Sequence, residues 1–324
     1  MAMFWAFALA LSLALYIVLD GFDLGVGILF GLAPSESRGH MMDAISPVWD
    51  GNETWLVMAA ASLYAAFPSV YAIAVSAFYL PVIVMLGGLI LRGVSFEFRD
   101  KGGRFRWIWT LSFFVGSVIA AFAQGCTIGA FVEELPVHDG RFAGSMLTWL
   151  SPFAVLCGVG LCLGYAMLGA SWLIHKTRAE ARTYGYAVLP WLVGGVMLFL
   201  IIAGTSAFAM DLRITHRWAQ RPGLFVFPAI GALALLAMLL GIVRKFDRVL
   251  YPAGVIMFIA AFLTMVLSVL PYMIPFSVTI ADAAAPERSL EFLFWGAGVV
   301  ILPLTLAYTG AVYYIFRGKV SRSS

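Results

Sequence analysis

Charged residues are scarce in this chain. Lys, Arg, Asp and Glu together make up 11% of its 324 residues, whereas soluble domains are about one quarter charged. Hydrophobic residues account for 62%, which is more than a compact soluble fold can bury. The apolar runs are also too long for the alternating strands of a transmembrane barrel. The sequence therefore predicts an all-α polytopic membrane protein, and its net charge of +3 is too small to indicate a nucleic-acid partner.

Cysteine and histidine are scarce as well. The three cysteines all lie in apolar runs without a CxxC pair, so we expect them to be small core residues. The four histidines fall in predicted loops or at a span end, whereas a membrane haem usually takes axial His or Met ligands from facing helices. The sequence contains no nucleotide-binding glycine motif and no credible catalytic triad. We therefore expect no metal, redox cofactor or catalytic nucleophile on this chain alone.

Nine apolar runs are long enough to cross a bilayer, which needs about 20 residues per helix. They cover residues 5–32, 51–70, 72–96, 107–131, 149–174, 185–208, 223–243, 252–274 and 291–316. The second and third runs form one uncharged stretch, and Phe67-Pro68-Ser69 is the predicted break between them.

The distribution of Lys and Arg predicts the orientation of these spans. With the N-terminus outside, every lysine and most arginines fall on the inner side, as the positive-inside rule requires. We therefore predict an outer N-terminus and a cytoplasmic C-terminus. The inner connection 33–50 contains Met41, Met42, Ile45 and Val48 at helical spacing, which predicts a short amphipathic surface helix.

Two acids interrupt the first apolar run within the stretch YIVLDGFDLGVGILFGL, residues 16–32. On a helical wheel Ser12, Tyr16, Asp20, Asp23 and Gly27 share one side. An ionised side chain at bilayer depth costs about 2.5–3.5 kcal/mol, so it nearly always faces a cavity or a partner. We interpret this polar stripe as a candidate proton path. The alternative is a helix contact made by neutral, hydrogen-bonded acids.

Two glycines of the same run lie on a different face of the predicted helix. Gly21 and Gly25 are four residues apart and form a small-xxx-small pair. Such a pair lets a second helix approach closely. We therefore expect a tight helix contact at this face.

A second polar cluster occurs in PVWDGNETWL, at the predicted cytoplasmic mouth of the second span. Asp50 and Glu53 are one turn apart, and Trp49 and Trp55 bracket them. Asp50 or Asn52 could cap the helix, and Glu53 suits its positive N-terminal end. Capping alone does not explain the tryptophans, so a combined role in capping and proton entry is the sharper hypothesis. Both interpretations remain open at this point.

Arg92 lies where the third span approaches the cytoplasm, five residues before Glu97. Long basic side chains near a span end commonly reach the interface with their charge. We therefore expect Arg92 to be a salt-bridged or snorkelling anchor.

Two long motifs in order carry a family resemblance. LDGFDLGVG (19–27) followed by PVWDGNETWL (47–56) closely resembles the paired signature of subunit II of the cytochrome bd-type quinol oxidases. The match continues through FPSVYA (67–72) and LRGVSFEFR (91–99). Within this family the cyanide-insensitive branch is a candidate assignment, although features of subunit I define that branch.

The resemblance implies a fold, a complex and a location. The fold is two four-helix bundles plus a peripheral ninth helix, here residues 1–131, 149–274 and 291–316. The complex is a heterodimer with a haem-bearing subunit I of related fold, which oxidises quinol and reduces oxygen to water. The haems, of type b and in some members type d, and the quinol site belong to subunit I. A small single-helix subunit often accompanies the pair among the lipids of the bacterial inner membrane.

The resemblance also implies roles for residues. Asp23 and Asp50 match the acids suggested for proton supply toward the haems, while Asp20 matches an acid whose role is less clear. Glu53 departs from members that have Gln there, which favours Asp50 as the ionisable group. Trp49 lies where subunit II can contribute to a lipid or structural-quinone environment. The other motif residues are expected to be structural, namely Gly21, Gly25, Gly51, Asn52, Trp55 and Arg92.

Three functional hypotheses follow. The first is the non-haem subunit of a quinol oxidase, which stabilises its partner and supplies protons. The second is a proton-coupled secondary transporter with Asp20 and Asp23 as the coupling site, and the third is a scaffold whose acids only pack. Transporters often show inverted repeats with paired broken helices, and no such pair is evident here. We therefore favour the oxidase subunit.

Overall fold

The computed structural model describes residues 1–99 and 101–320, and most of these residues are helical. Helices are expected because a segment in lipid must satisfy its own backbone hydrogen bonds. In chain order the helices are α1 (Ala2–Phe30), α2 (Ser35–Ile45), α3 (Trp49–Ala66), α4 (Pro68–Phe98), α5 (Arg106–Val132), α6 (Pro152–Lys176), α7 (Ala179–Ala209), α8 (Arg213–Gln220), α9 (Val226–Arg244), α10 (Asp247–Val269), α11 (Ile280–Ala283), α12 (Glu287–Leu293) and α13 (Leu302–Ile315).

Short elements connect these helices. A π-helical segment, Phe294–Ile301, joins α12 to α13, and 3-10 turns at Gly103–Phe105, Thr148–Leu150 and Pro222–Phe225 precede α5, α6 and α9. Two small antiparallel hairpins complete the described structure. They are formed by β1 (Val137–His138) with β2 (Arg141–Phe142), and by β3 (Tyr272–Ile274) with β4 (Val278–Thr279).

Eight helical segments in the described part of the chain are long and apolar enough to span a membrane. They comprise α1, α4, α5, α6, α7, α9, α10 and the continuous segment Glu287–Ile315. The 18-residue helix α3 is not among them, and its first turns hold Asp50, Asn52 and Glu53. The count of nine spans and the orientation therefore stay predictions. The predicted break is confirmed, since α3 ends at Ala66 and α4 begins at Pro68.

Helix α1 packs against α3, α5 and α6, and the two predicted contact glycines lie at the α6 interface. A Cβ atom built on Gly25 would lie 1.7 Å from the backbone oxygen of Tyr165, and one on Gly21 would lie 2.7 Å from its ring. A Cβ atom built on Gly169 of α6 would lie 2.5 Å from the carbonyl carbon of Gly25. The expected tight helix contact is confirmed, because no larger residue fits at Gly25 without separating the helices.

Contacts also run across the predicted boundary between the bundles. Helix α6 packs against α1 and α5 of the first predicted bundle, and against α7 and α10 of the second. The division into residues 1–131, 149–274 and 291–316 therefore stays a prediction.

The short amphipathic helix expected in the connection 33–50 is confirmed as α2, although Val48 lies outside it, directly before α3. Met41, Met42 and Ile45 are buried, while Asp43 is exposed. The indole Nε1 of Trp172 in α6 donates a hydrogen bond to the carbonyl of Ala44 at 3.1 Å. This bond and the buried methionines hold α2 against α6, next to the C-terminal end of α1.

Candidate functional site

Three carboxylates surround the guanidinium of Arg92. Its Nη1 donates to Asp20 Oδ1 at 2.9 Å and to Glu53 Oε1 at 2.8 Å. Its Nη2 lies 3.9 Å from Asp23 Oδ2. The side chains of Asp20 and Asp23 are 0% exposed and that of Arg92 is 1% exposed, whereas Glu53 retains 27% exposure. These four residues, the Arg92 cluster, therefore form a buried ionic site between α1, α3 and α4 with its accessible side at Glu53.

Helix geometry explains how the cluster is assembled. The spacing of three residues places Asp20 and Asp23 on one face of α1, and α3 crosses that face with Glu53 in its second turn. Trp49 covers the guanidinium, since the Arg92 Cζ atom lies 5.9 Å from the indole centroid. Cation–π attraction of this kind stabilises a desolvated guanidinium.

Of the two roles expected for Arg92, the structure shows the salt bridge. The side chain does not snorkel to a surface, because it is buried and paired with acids of α1 and α3. Its nearest carboxylate partner in sequence lies 39 residues away. Burial is possible because three acids supply compensating charge inside the helix bundle.

The cluster contains more acid than base. Three carboxylates and one guanidinium would carry a net charge of minus two if all were ionised. An uncompensated buried charge costs several kcal/mol, so charge balance favours retention of a proton by the cluster. Asp20 Oδ2 and Asp23 Oδ1 have no hydrogen-bond partner among the described residues. The site therefore offers buried oxygens that can accept a proton.

Asn52 connects Asp23 to two further helices. Its Nδ2 donates to Asp23 Oδ2 at 2.7 Å and to the Leu19 carbonyl at 3.2 Å. Its Oδ1 accepts a hydrogen bond from the Tyr313 hydroxyl of α13 at 3.0 Å. Asn52 is thus an internal bridge between α1, α3 and α13.

The capping interpretation of Asp50 and Asn52 is wrong. Helix α3 begins at Trp49, so the capping position belongs to Val48, and no side chain caps it. Asn52 lies inside the helix and points toward α1, as its bond to Asp23 shows. Asp50 is exposed in the first turn, one turn before Glu53 and outside the buried cluster.

A second polar chain begins one turn from Asp20. Tyr16 occupies the same face of α1, and its hydroxyl accepts from Gln124 Nε2 at 2.8 Å. The hydroxyl of Tyr165 in α6 donates to Gln124 Oε1 at 3.0 Å. Both tyrosines are buried, while Gln124 is half-buried. Sequence reasoning found Tyr16 from helical periodicity, but no local pattern indicated Gln124 or Tyr165.

The remaining motif residues pack around this site. Trp55 is fully buried. A Cβ atom on Gly51 would lie 3.5 Å from the ring of Tyr308, which is ordinary van der Waals contact. Residues 1–99 and 101–320 contain no group of three or more His, Cys, Asp or Glu arranged to hold a metal ion.

Comparisons with known proteins agree along the whole chain. The family model described as cytochrome bd terminal oxidase subunit II matches residues 1–316. The cytochrome bd-I ubiquinol oxidase subunit 2 of Escherichia coli is 28% identical, over 98% of this chain and 94% of that protein. The probable cytochrome oxidase subunit 2 of Haemophilus influenzae is 30% identical, over 96% and 89% respectively. The Bacillus subtilis cytochrome bd ubiquinol oxidase subunit 2 is 26% identical, over 98% and 96%.

A solved structure resembles the fold as well. A chain of the bd oxidase from Geobacillus thermodenitrificans superposes with a TM-score of 0.72, covering 97% of each chain at 9% sequence identity. At this identity the likeness concerns the fold alone.

Proposed function

The chain belongs to the cytochrome bd terminal oxidase subunit II family, and on this premise we propose that it supplies cytoplasmic protons to a haem-bearing subunit I and stabilises that subunit. Its relatives include subunits of cytochrome bd ubiquinol oxidase, an oxidoreductase complex. The protein is accordingly a multi-pass protein of the bacterial inner membrane. In this proposal the complex is a terminal quinol:oxygen oxidoreductase, and the haems and the quinol site belong to subunit I.

The observation that carries the proposal is the buried excess of acid around Arg92. Reduction of oxygen to water consumes protons as well as electrons, so the complex needs a route for protons through its apolar interior. A paired, fully neutralised cluster would serve only to hold helices together. The Arg92 cluster instead has surplus carboxylates, and two of their oxygens have no hydrogen-bond partner in the part of the chain that the structure describes.

The exposure of the acids suggests the direction of the route. Asp50 is exposed at the start of α3, Glu53 is 27% exposed one turn further along, and Asp20 and Asp23 are buried. We propose that protons enter at Asp50 and Glu53 and reach the two buried acids. The chain from Tyr16 through Gln124 extends the polar region from α1 to α5, and we propose that it continues the route.

The surface of the protein supports the partner part of the proposal. Many large apolar side chains on the long helices are exposed, for example Trp191 at 83%, and such surfaces in a membrane protein are covered by lipid or by other chains. We propose subunit I and a small single-helix subunit as partners. Half-buried Trp49 packs on Phe96 with ring centroids 5.0 Å apart, and we propose it as a contact for a lipid or a structural quinone.

Substitution of the buried acids in the whole complex tests this function. We expect Asp23→Asn and Asp20→Asn to lower quinol-dependent oxygen consumption per haem by at least about tenfold, because positioned proton transfer groups contribute about 10²–10⁴-fold. Asp43→Asn on the exposed side of α2 is the matched control and should match wild type. Haem content reports assembly. Wild-type turnover with normal haem content in both buried-acid variants would overturn the proposal.

A further inference from the structure

Helix α13 places one hydroxyl group next to the Arg92 cluster. Tyr313 donates to Asn52 Oδ1 at 3.0 Å although the two residues are 261 positions apart. Its ring contacts Trp172 of α6 edge-on, with centroids 6.2 Å apart. Tyr314, its neighbour in sequence, points the other way and is 66% exposed. The two adjacent tyrosines therefore occupy opposite environments.

The hydrogen bond from Tyr313 fixes the orientation of an amide. A side-chain amide has one acceptor oxygen and one donor nitrogen. Because Tyr313 donates to Oδ1, the nitrogen of Asn52 is left to face Asp23 Oδ2 at 2.7 Å. Rotation of the amide by half a turn would place its oxygen against the acceptor oxygens of Asp23 and Leu19, and the Tyr313 hydroxyl would have to turn and accept from the nitrogen. The bond that Tyr313 donates therefore helps to fix the orientation in which Nδ2 faces Asp23.

The position of Tyr313 is fixed from the C-terminal side. The segment 316–320, here called the C-terminal clasp, binds the C-terminal end of α6 and the N-terminal end of α10. Lys176 Nζ donates to the carbonyls of Phe316 and Gly318, and the Val320 amide donates to the Lys176 carbonyl at 2.8 Å. Lys319 Nζ lies 3.2 Å from Asp247 Oδ2. The clasp begins three residues after Tyr313 and holds the end of α13 against the rest of the protein.

Several titratable or charged groups from five helices lie near Asp23. They are Asp20 on α1, Glu53 on α3, Arg92 on α4, Tyr251 on α10 and Tyr313 on α13. Tyr313 is linked to Asp23 by hydrogen bonds through the Asn52 amide, which donates to Oδ2. The other carboxylate oxygen, Oδ1, has no hydrogen-bond partner in the described part of the chain.

We propose that Tyr313 is a positioning residue for proton transfer at Asp23, acting through Asn52, and that the C-terminal clasp holds it in place. The inference rests on the proton-supply function proposed above. Asn52 occupies Oδ2 of Asp23 with one oriented hydrogen bond, which leaves Oδ1 to take up and release the proton. Tyr313 itself neither gains nor loses a proton in this role.

The test compares Tyr313→Phe with Tyr314→Phe in the complete oxidase complex. We expect Tyr313→Phe to lower kcat by about two- to tenfold, as loss of a single buried hydrogen bond would, with KM for quinol unchanged. We expect its pH profile of turnover to move toward higher pH, because a hydrogen bond donated to the ionised carboxylate favours that form. Tyr314→Phe removes the same hydroxyl from an exposed ring and should match wild type throughout.

A double-mutant cycle separates positioning from general loosening. In an Asn52→Leu background, the further change Tyr313→Phe should have no additional effect on the pH profile, because the intermediary is gone. An equal effect of Tyr313→Phe with and without Asn52 would overturn the inference. If Asp23→Asn abolishes turnover while Tyr313→Phe matches Tyr314→Phe at every pH, the inference fails and the proton-supply function stands. If Asp23→Asn is fully active, the proton-supply function itself fails.

A substitution in the clasp tests the same inference without changing the Arg92 cluster, and it serves if Tyr313→Phe lowers the yield of assembled complex. Lys319→Ala should move the pH profile in the same direction by a smaller amount. Lys245→Ala, at an exposed lysine after α9, is the matched control. Wild-type profiles in Lys319→Ala, together with a Tyr313→Phe complex that melts at the same temperature and has the same profile as wild type, would contradict the inference.

Discussion

Two clusters of acidic and basic side chains in this protein differ in how completely they are paired. In the Arg92 cluster three buried carboxylates share one guanidinium. At the N-terminal end of α10 the ratio of acids to cations is reversed, because Asp247 pairs with two cations. Asp247 accepts two hydrogen bonds from Arg182 at 2.9 Å, one from Tyr186 at 2.8 Å and one from Lys319 at 3.2 Å. The Asp247 cluster is also more accessible, since its charged side chains are 22–35% exposed.

The difference indicates two uses of the same chemistry. Both oxygens of Asp247 accept hydrogen bonds from cations or a hydroxyl, which favours a single protonation state, and these bonds join α7, α10 and the clasp. In the Arg92 cluster some carboxylate oxygens have no hydrogen-bond partner among the described residues. Its excess of buried acid also favours a retained proton. We therefore interpret the Asp247 cluster as structural and the Arg92 cluster as a site of proton exchange.

The largest expected effect comes from removing the single cation of the acid-rich cluster. Arg92→Leu leaves buried carboxylates without compensation, and breaking a buried ion pair in this way costs about 3–5 kcal/mol. We expect little assembled complex, measured as haem per milligram of membrane protein. Arg288→Leu, at an exposed arginine of α12, should assemble normally. Addition of Asp20→Asn to Arg92→Leu should partly restore assembly, and failure to see any defect in Arg92→Leu would contradict the charge balance.

The Asp247 cluster should respond chiefly through stability, with only the small shift in the pH profile that Lys319→Ala also produces, because both changes weaken the bond between Lys319 and Asp247. Asp247→Asn weakens bonds to Arg182, Tyr186 and Lys319, and we expect the free energy of unfolding to fall by about 1–3 kcal/mol. Oxygen consumption per haem should stay within about twofold of wild type in the assembled complex. Thermal unfolding and turnover, measured on the same preparation, check both parts. A loss of turnover as large as that of Asp23→Asn would remove the distinction between the clusters.

Glu53 should give the smallest effect within the acid-rich cluster. It is the only one of the three acids with appreciable exposure, and its amide analogue can still accept the Arg92 hydrogen bond. Exposed Asp50, one turn away, remains as an entry group for protons. We expect Glu53→Gln to lower turnover by no more than about threefold, with normal haem content. A defect comparable to that of Asp23→Asn would show that Glu53, rather than the buried pair, limits proton entry.

Local periodicity predicted a substantial part of this structure. The helical repeat placed Asp20 and Asp23 on one face of α1, and the spacing of Gly21 and Gly25 predicted the contact with α6. Pro68 predicted the break between α3 and α4. Each of these inferences depends on residues within one or two turns of each other, where helix geometry alone decides which side chains are neighbours.

The partners of the site could not be predicted, because they depend on how distant helices pack. Arg92 lies 72 residues from Asp20, and Tyr313 lies 261 residues from Asn52. A local view left Arg92 either salt-bridged or snorkelling, and it made Asp50 or Asn52 a helix cap. Packing against α1 decides both questions, because it turns the Asn52 amide toward Asp23 and encloses the Arg92 guanidinium.

Infrared difference spectroscopy of the whole oxidase during oxygen turnover tests the central claim most directly, because it detects protonated carboxyl groups. We predict a carboxyl band that changes between oxidised and reduced states, disappears in Asp23→Asn or Asp20→Asn, and persists in Asp247→Asn. Spectra without such a change, or with a band that both buried-acid variants leave intact, would contradict the assignment of the Arg92 cluster as the site where this subunit holds and releases protons.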